Sequence, residues 1–170
     1  MAVINAYVNS DLAAGKKGNP ALIMPGQMFG FVCTFEVAAA DTVASVYRIA
    51  NIGANMVPLW LKLACDAAID ITDLDIGLYL PGAAAAVVDA DCFADAINPT
   101  TGYIFGSDLE GLISLPIADG GKKLWEITAV VAAQSYTAAN HPNSFDLALT
   151  ANSEPGAAGT ITVRGMFLQG

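Results

Sequence analysis

Two runs of alternating apolar and polar positions lie within residues 56–81. In the first run, one side of an extended chain carries Leu59, Leu61, Leu63 and Cys65, and the other carries Trp60, Lys62 and Ala64. In the second run, Leu74, Ile76, Leu78 and Leu80 alternate with Asp75, Gly77 and Tyr79. Side chains of a strand point to opposite faces with period two, so each run predicts a strand with one buried face. We expect the two strands to pair in the core of a sheet.

The same alternation predicts further strands on both sides of this stretch. Met28–Val37 carries aromatic or aliphatic residues at every second position, and Val43–Ile52 follows with Tyr47 and Ile49 on its buried side. Near the end of the sequence, Ser144–Ala151 and Gly159–Leu168 alternate as well. The turn between them is rich in Gly and Pro, so this pair of runs predicts an antiparallel hairpin.

Helical signals are few, and the first residues follow neither pattern. Asp89–Ile97 is the best helical candidate, because Asp89 or Asp91 can cap it and Phe93 and Ile97 lie four apart. Lys122–Val131 fits a helix and a strand equally. Residues 1–27 are punctuated by Gly, Pro and Asn and predict an extended arm. The predicted fold is mainly β, an antiparallel β-sandwich or jelly roll over residues 28–170 with one or two short helices.

Composition indicates a surface that another protein covers. Apolar residues make up 55% of the chain, charged residues make up 14%, and the mean hydropathy is +0.52. No apolar run approaches the roughly 20 residues that span a bilayer, and the first residues lack the pattern of a signal peptide. A net charge of −9 argues against direct binding of nucleic acid. Three cysteines at unrelated spacings predict buried thiols, and neither a disulfide framework nor a zinc site.

The sequence contains no pattern of catalytic residues, so we expect neither enzymatic activity nor a cofactor. The densest group of carboxylates consists of Asp66, Asp70, Asp73 and Asp75. Such a group could bind a calcium ion that assists hydrolysis. It lacks the D-x-D-x-D-G spacing of a calcium loop, however, so we expect these side chains to lie in solvated turns. The only histidine, His141, lies in a predicted loop. A carbohydrate- or host-receptor-binding β-sandwich module, such as a tail-spike or host-attachment domain, is the alternative hypothesis, resting on Trp60, Tyr79, Tyr103 and Tyr136.

Several motifs, in order, resemble those of a known family. They are VNSDLAAGKKGNPALIMPGQ, TFEVAAADTVASVYRIANIGANMVPLWLKL, TDLDIGLYLPG, VVDADCFADAI, GKKLWEIT and SFDLALTANSEPGAAGTITVRGMF. The chain is similar, from about residue 7 onward, to the capsid decoration (cement) proteins of tailed bacteriophages, which have a jelly-roll fold.

This resemblance implies a non-enzymatic virion protein that binds the outer capsid surface over joints between major capsid protein subunits. It also implies self-association as a dimer or trimer. From the arm we select Lys16, Lys17, Asn19, Pro20, Leu22 and Ile23 as capsid-contact candidates. From the outward positions of the sheets we select Trp60, Lys62 and Tyr79 as self-association candidates. Neither nucleic acid nor membrane is an expected partner.

Overall fold

Two β-sheets enclose a common hydrophobic core in the computed structural model, which describes residues 3–5, 26–66, 69–82, 86–99, 119–131 and 136–170. A single helix in these ranges, α1, covers Leu124–Val131. The strands are β1 (Val3–Asn5), β2 (Met28–Val37), β3 (Ser45–Gly53), β4 (Met56–Cys65), β5 (Leu74–Tyr79), β6 (Val87–Ile97), β7 (Ser144–Ala151) and β8 (Gly159–Gln169). The predicted mainly β sandwich is confirmed.

The larger sheet has five strands in the order β1-β3-β7-β5-β6, and the smaller has three in the order β2-β8-β4. All pairs are antiparallel except β1 and β3, which are parallel. The sheets meet through their apolar faces; for example, the rings of Phe35 on β2 and Tyr47 on β3 stack at 5.3 Å. Strand β1 lies within the predicted arm, and most of that arm lies outside the described residues.

Two predicted strand pairings are wrong. Strands β7 and β8 lie in different sheets and form no hairpin, and β4 and β5 are likewise divided between the two sheets. The two connections run side by side at one end of the sandwich, where Gly156 N donates to Ile69 O at 3.1 Å and Asn152 N donates to Asp73 O at 2.9 Å. Alternation tells which face of a strand is buried, and both sheets bury an equivalent face, so it cannot tell which sheet a strand joins.

The helix predicted at Asp89–Ile97 is wrong, because this segment belongs to the edge strand β6. Ile76 pairs with Ala94, and Leu78 pairs with Asp89. Between these two pairs, β5 therefore spans two residues and β6 spans five. The extra residues bulge out of the ladder. Phe93 and Ile97 are both buried, and because four is an even spacing, two side chains four apart can share one face of a strand as well as one face of a helix. A single apolar pair four residues apart therefore does not distinguish a helix from a strand.

The ambiguous segment at Lys122–Val131 is helical. Glu126 accepts a hydrogen bond from the Lys123 N–H at 2.7 Å, which satisfies one of the donors that the start of a helix leaves without a partner. Leu124 and Ile127 are buried on the side that faces the core. In the part of the chain that the structure describes, no helix has the length and apolar character needed to cross a membrane.

Strand β4 departs from its predicted alternation at one position. Its pairing with β8 shifts between Pro58 and Trp60, and the extra residue, Leu59, is 45% exposed. Beyond the shift the expected pattern holds, with Leu61 and Leu63 buried against the other sheet. Trp60 and Lys62 therefore lie on the opposite face of β4, together with side chains of β8 and β2.

Candidate interaction surface

One face of the small sheet packs on the core, and the other face is exposed or half-buried; we call the latter the outer face. Strand register sets its rows, because Gly30 and Trp60 flank Met166, whereas Val32 and Lys62 flank Arg164. Its side chains are Met28, Val32, Thr34 and Glu36 on β2, Thr160, Thr162, Arg164, Met166 and Leu168 on β8, and Trp60, Lys62 and Ala64 on β4.

One end of the outer face is apolar. Met28 is 66% exposed and Val32 is 57% exposed, and Trp60 and Met166 are half-buried between them. Leu59 adds a further exposed apolar side chain at the bulge of β4. Contiguous exposed apolar side chains, with aromatic and Met residues among them, are typical of protein interaction surfaces.

Two cations lie at the centre of the outer face. Lys62 and Arg164 are register partners on neighbouring strands, so their side chains are adjacent on this face. The Lys62 Nζ lies 6.0 Å from the centroid of the Trp60 ring, at the outer limit of a cation–π contact. The chain has only 7 basic residues and a net charge of −9, so two cations side by side distinguish the outer face.

The opposite end of the outer face is polar. Thr34 and Thr162 share a hydrogen bond of 2.9 Å between their hydroxyl groups. Thr160 Oγ1 donates to Glu36 Oε1 at 2.7 Å. The outer face therefore changes along the strands from apolar through cationic to polar, a sequence that orients a partner in one direction.

The predicted self-association residues do not share one surface. Trp60 and Lys62 lie on the outer face, but Tyr79 lies on β5 in the large sheet and is only 2% exposed. Its hydroxyl shares a 2.5 Å hydrogen bond with Thr150, and burial is the main reason that its pKa is raised. Tyr79 lies on the face of β5 that points away from the core, as the alternation predicts. This outward face of the large sheet is nevertheless buried at β5 as well. The expectation that Tyr79 is an exposed contact residue is therefore wrong.

The capsid-contact candidates of the arm lie outside the described residues, so they stay predictions; they are Lys16, Lys17, Asn19, Pro20, Leu22 and Ile23. Sequence reasoning missed Met28, Val32, Arg164 and Met166 as partners of Trp60 and Lys62. These four residues lie at the outward positions that the alternation in β2 and β8 predicts. Only the strand order shows that these positions share a face with those of β4.

A second charged surface lies on β6, at the edge of the large sheet. Val87 is 54% exposed, and Asp91 and Asp95 are exposed on the same strand; we call these three residues the acidic edge. The pKa of Asp95 is raised, chiefly by the negative charge of Asp75 and further by that of Asp91 and Asp73. Carboxylates accumulate here without enough positive charge to offset their repulsion.

Asp89, on the same strand, is buried, and burial is the main cause that raises its pKa from 3.8 to about 6, with Asp91 adding to the shift. The folded state therefore binds this proton more tightly than the unfolded state, so Asp89 lowers the free energy of unfolding as pH rises from about 4 to about 6. We expect Asp89→Asn to raise that free energy at pH 7 by about 1–2 kcal/mol.

Urea unfolding of Asp89→Asn and the unaltered chain between pH 4 and pH 7 measures this difference. The gain is expected to shrink toward pH 4, where the Asp89 carboxyl is protonated in both states. A gain that is the same at every pH, or a loss at pH 7, would contradict the assignment of this titration to Asp89.

The residues considered for metal or sugar chemistry are engaged in structural contacts. Asn152 Nδ2 donates to Asp75 Oδ2 at 2.6 Å, and Asp66 Oδ2 accepts from Thr160 N at 3.0 Å. Within the described ranges, no group of three or more His, Cys, Asp or Glu side chains is placed to hold a metal ion. His141 stacks on Trp125 with ring centroids 5.3 Å apart.

The aromatic residues of the carbohydrate hypothesis do not form a common platform in the described part of the chain. Tyr79 is buried, and the ring of Tyr136 packs against Phe145 with centroids 5.9 Å apart. Trp60 lies on the outer face, and Tyr103 lies outside the described residues. Of this set, the outer face therefore presents Trp60 alone, beside a cation.

Comparison with known proteins gives a likeness of fold. A chain of the solved structure described as "Capsid of Ralstonia phage GP4" matches with a TM-score of 0.60 and 16% sequence identity, and the match covers 99% of each chain. No protein-family model matches the sequence, and no curated protein matches it. At this identity, the match shows a fold shared over nearly the full length of both chains.

Proposed function

We propose that this chain is a non-enzymatic structural protein of a phage virion that binds the outside of the capsid. In this role it cements joints between major capsid protein subunits and stabilises the head. The observation that carries the proposal is the fold shared with a phage capsid chain over 99% of both lengths.

The outer face supports a binding role. An exposed apolar end beside a cationic row is suited to a protein surface that is itself partly apolar and partly acidic. A specific interface of standard size buries about 1,600 Å² in total, and one face of a three-stranded sheet supplies part of such an area. Many copies bound to a symmetric shell act together, so each single contact need not be strong.

The experiment is to prepare heads from a phage lacking this gene, add the purified chain and measure co-sedimentation. We expect saturable binding at a fixed ratio to the major capsid protein, with cryo-electron microscopy density on the outside of the shell. Heads bearing the chain are expected to release DNA at a higher temperature than bare heads. As the sequence predicts for the arm, Lys16→Glu/Lys17→Glu should weaken binding at least about tenfold, because it reverses charges at the contact.

The matched control is Lys122→Glu/Lys123→Glu, which changes the net charge equally at the start of α1 and should bind heads normally. Absence of saturable binding would refute the decoration role. Failure of heads to assemble without the gene would instead assign the chain to the shell itself.

A further inference from the structure

We propose that strand β6 detaches locally from β5 when the buried carboxyl group of Asp89 ionises, so that this edge of the large sheet is closed in acid and opens more often at neutral pH. This inference concerns a motion within one chain and does not require that the chain bind a capsid. It rests on the irregular pairing of β6, on its strained backbone and on a buried carboxylate oxygen without a hydrogen-bond partner.

The pairing between β5 and β6 is much less regular than the pairing on the other side of β5. Strand β5 pairs with β7 through six successive residues without a shift, whereas its four partner pairs with β6 are separated by a register shift at every step. Among the described strands, β6 is outermost in the large sheet and has β5 as its ladder partner. An interrupted ladder provides fewer backbone hydrogen bonds, so the sheet opens most easily between β5 and β6.

The closed position of β6 also depends on two unusual backbone sites. Ala96, near the end of the strand, has a φ of +52°, in the left-handed region that is unfavourable for residues with a Cβ. The Ala96 N–H donates to Asp75 Oδ1 at 3.0 Å, which holds this residue in place. At the bulge, the backbone of Asp89 and Ala90 lies directly against Gly77. Strain at one end and close backbone packing at the bulge both make the closed position easy to disturb.

The carboxyl group of Asp89 lies where β6 is paired least regularly, with register shifts on both sides of its pair with Leu78. The residue is 6% exposed, and its Oδ2 has no hydrogen-bond partner in the described part of the chain. Its Oδ1 accepts a long hydrogen bond of 3.5 Å from the Asp91 N–H. A buried carboxylate with so little hydrogen bonding is costly when it is ionised. Water solvates both oxygens once β6 detaches, so ionisation of Asp89 favours the open state.

The charges around Asp89 add to this preference. The other titratable groups of β6 and of the elements packed against it are Asp91, Cys92 and Asp95 on β6, Asp75 and Tyr79 on β5, Asp146 on β7 and Glu126 on α1. Burial, with a further contribution from Asp91, raises the pKa of Asp89 from 3.8 to about 6. The closed state therefore binds this proton more tightly than the open state does. Closure is strongest below about pH 4 and weakens as the pH rises through about 6.

Detachment of β6 changes what the second face of the large sheet presents. Ala90 packs there against a small apolar cluster of Val46, Tyr79 and Ala148. Tyr79 is 2% exposed in the closed state. When the bulge moves away, this aromatic side chain becomes accessible, so the pH controls how often the face is uncovered.

Hydrogen exchange between pH 5 and pH 7.5, corrected for the intrinsic rate at each pH, measures the local opening. At pH 7.5 we expect β6 amides to have protection factors at least about tenfold lower than those of β8 amides. Low concentrations of urea should leave the β6 values unchanged, because a local opening exposes little surface. From pH 7.5 to pH 5 the β6 protection factors should rise at least about tenfold, since Asp89 becomes protonated in the closed state.

Asp89→Asn is expected to remove this pH dependence and to protect β6 at pH 7.5 as strongly as at pH 5, because an amide does not ionise. The matched control is Glu154→Gln, which removes one negative charge from an exposed position between β7 and β8 and should keep the pH dependence. Circular dichroism establishes that both variants are folded.

Three results would each overturn the proposal. The first is exchange of β6 amides with the protection and urea dependence of β8, which would mean that β6 opens only in global unfolding. The second is a β6 protection factor that does not change with pH. The third is a pH dependence that persists in Asp89→Asn or disappears in Glu154→Gln. None of these results depends on binding to heads, so failure here is separate from failure of the proposed function.

Discussion

Replacing Asp146 with Asn is expected to lower the free energy of unfolding by about 3–5 kcal/mol. Asp146 Oδ2 lies 3.0 Å from Arg48 Nη1, and the two side chains are 0% and 2% exposed. Asn51 Nδ2 also donates to Asp146 Oδ1 at 2.8 Å. Arg48 Nε and Nη2 have no hydrogen-bond partner among the described residues, so Asp146 is the main compensation for a buried guanidinium charge.

Arg48→Met is expected to cost a similar amount, because it leaves the Asp146 carboxylate buried without its cation. The double variant Arg48→Met/Asp146→Asn should be less destabilised than the sum of the two single changes, with a coupling of about 2–3 kcal/mol. In that variant no uncompensated charge remains, and the amide of Asn51 can still bond to the new amide. Urea unfolding of all four proteins measures the coupling.

Lys122→Met is the matched control, because its ion pair with Asp119 is on the surface, with Lys122 37% exposed. Loss of a surface pair is expected to cost less than about 1 kcal/mol. Single changes at Arg48 and Asp146 that cost no more than this control, or that add without coupling, would contradict the assigned role of the buried pair.

Gly77→Ala is expected to lower the free energy of unfolding by about 3 kcal/mol or more. A Cβ at this position would overlap the backbone of Asp89 and Ala90, where the bulge of β6 crosses β5. Backbone atoms cannot move aside as a flexible side chain does, so β6 must shift away from β5. Its buried side chains, including Phe93, would then lose part of their packing in the core.

The control is Gly30→Ala on β2, where a Cβ would meet only the Gly165 carbonyl oxygen, at 3.8 Å. We expect this change to alter the free energy of unfolding by less than about 0.5 kcal/mol. Hydrogen exchange should show faster exchange of β6 amides in Gly77→Ala and unchanged exchange in Gly30→Ala. Equal stability of the two variants would show that the bulge accommodates a methyl group at Gly77.

The prediction from sequence was best where a strand has one buried and one exposed face. In β8, Ile161, Val163 and Phe167 are buried as the alternation predicts, and in β2 the same holds for Phe31 and Cys33. It failed at β6 because Phe93 and Ile97 are buried at a spacing of four, which a helix and a strand alike place on one face. It failed for Tyr79 because the second face of the large sheet is buried, and period two does not distinguish a buried second face from an exposed one.

The candidate site was half visible in the sequence. Trp60 and Lys62 stand out as large side chains on the outward positions of a strand, and the structure keeps them there. Arg164 lies about a hundred residues later in the chain, in a strand that was expected to pair with β7. Only the placement of β8 between β2 and β4 brings Arg164 beside Lys62 and completes the cationic centre.

The sequence by itself determined the mainly β class, the inward faces of most strands and the acidic character of the protein, because local alternation and composition carry that information. The tertiary structure decided the division of strands between two sheets, the bulges of β4 and β6, and the charges that share a surface. These depend on pairings between residues far apart in the chain, whose free energies no local pattern encodes. For the outer face, the alternation in each strand determines which side chains point outward. The order of the strands in the sheet determines which of those side chains become neighbours.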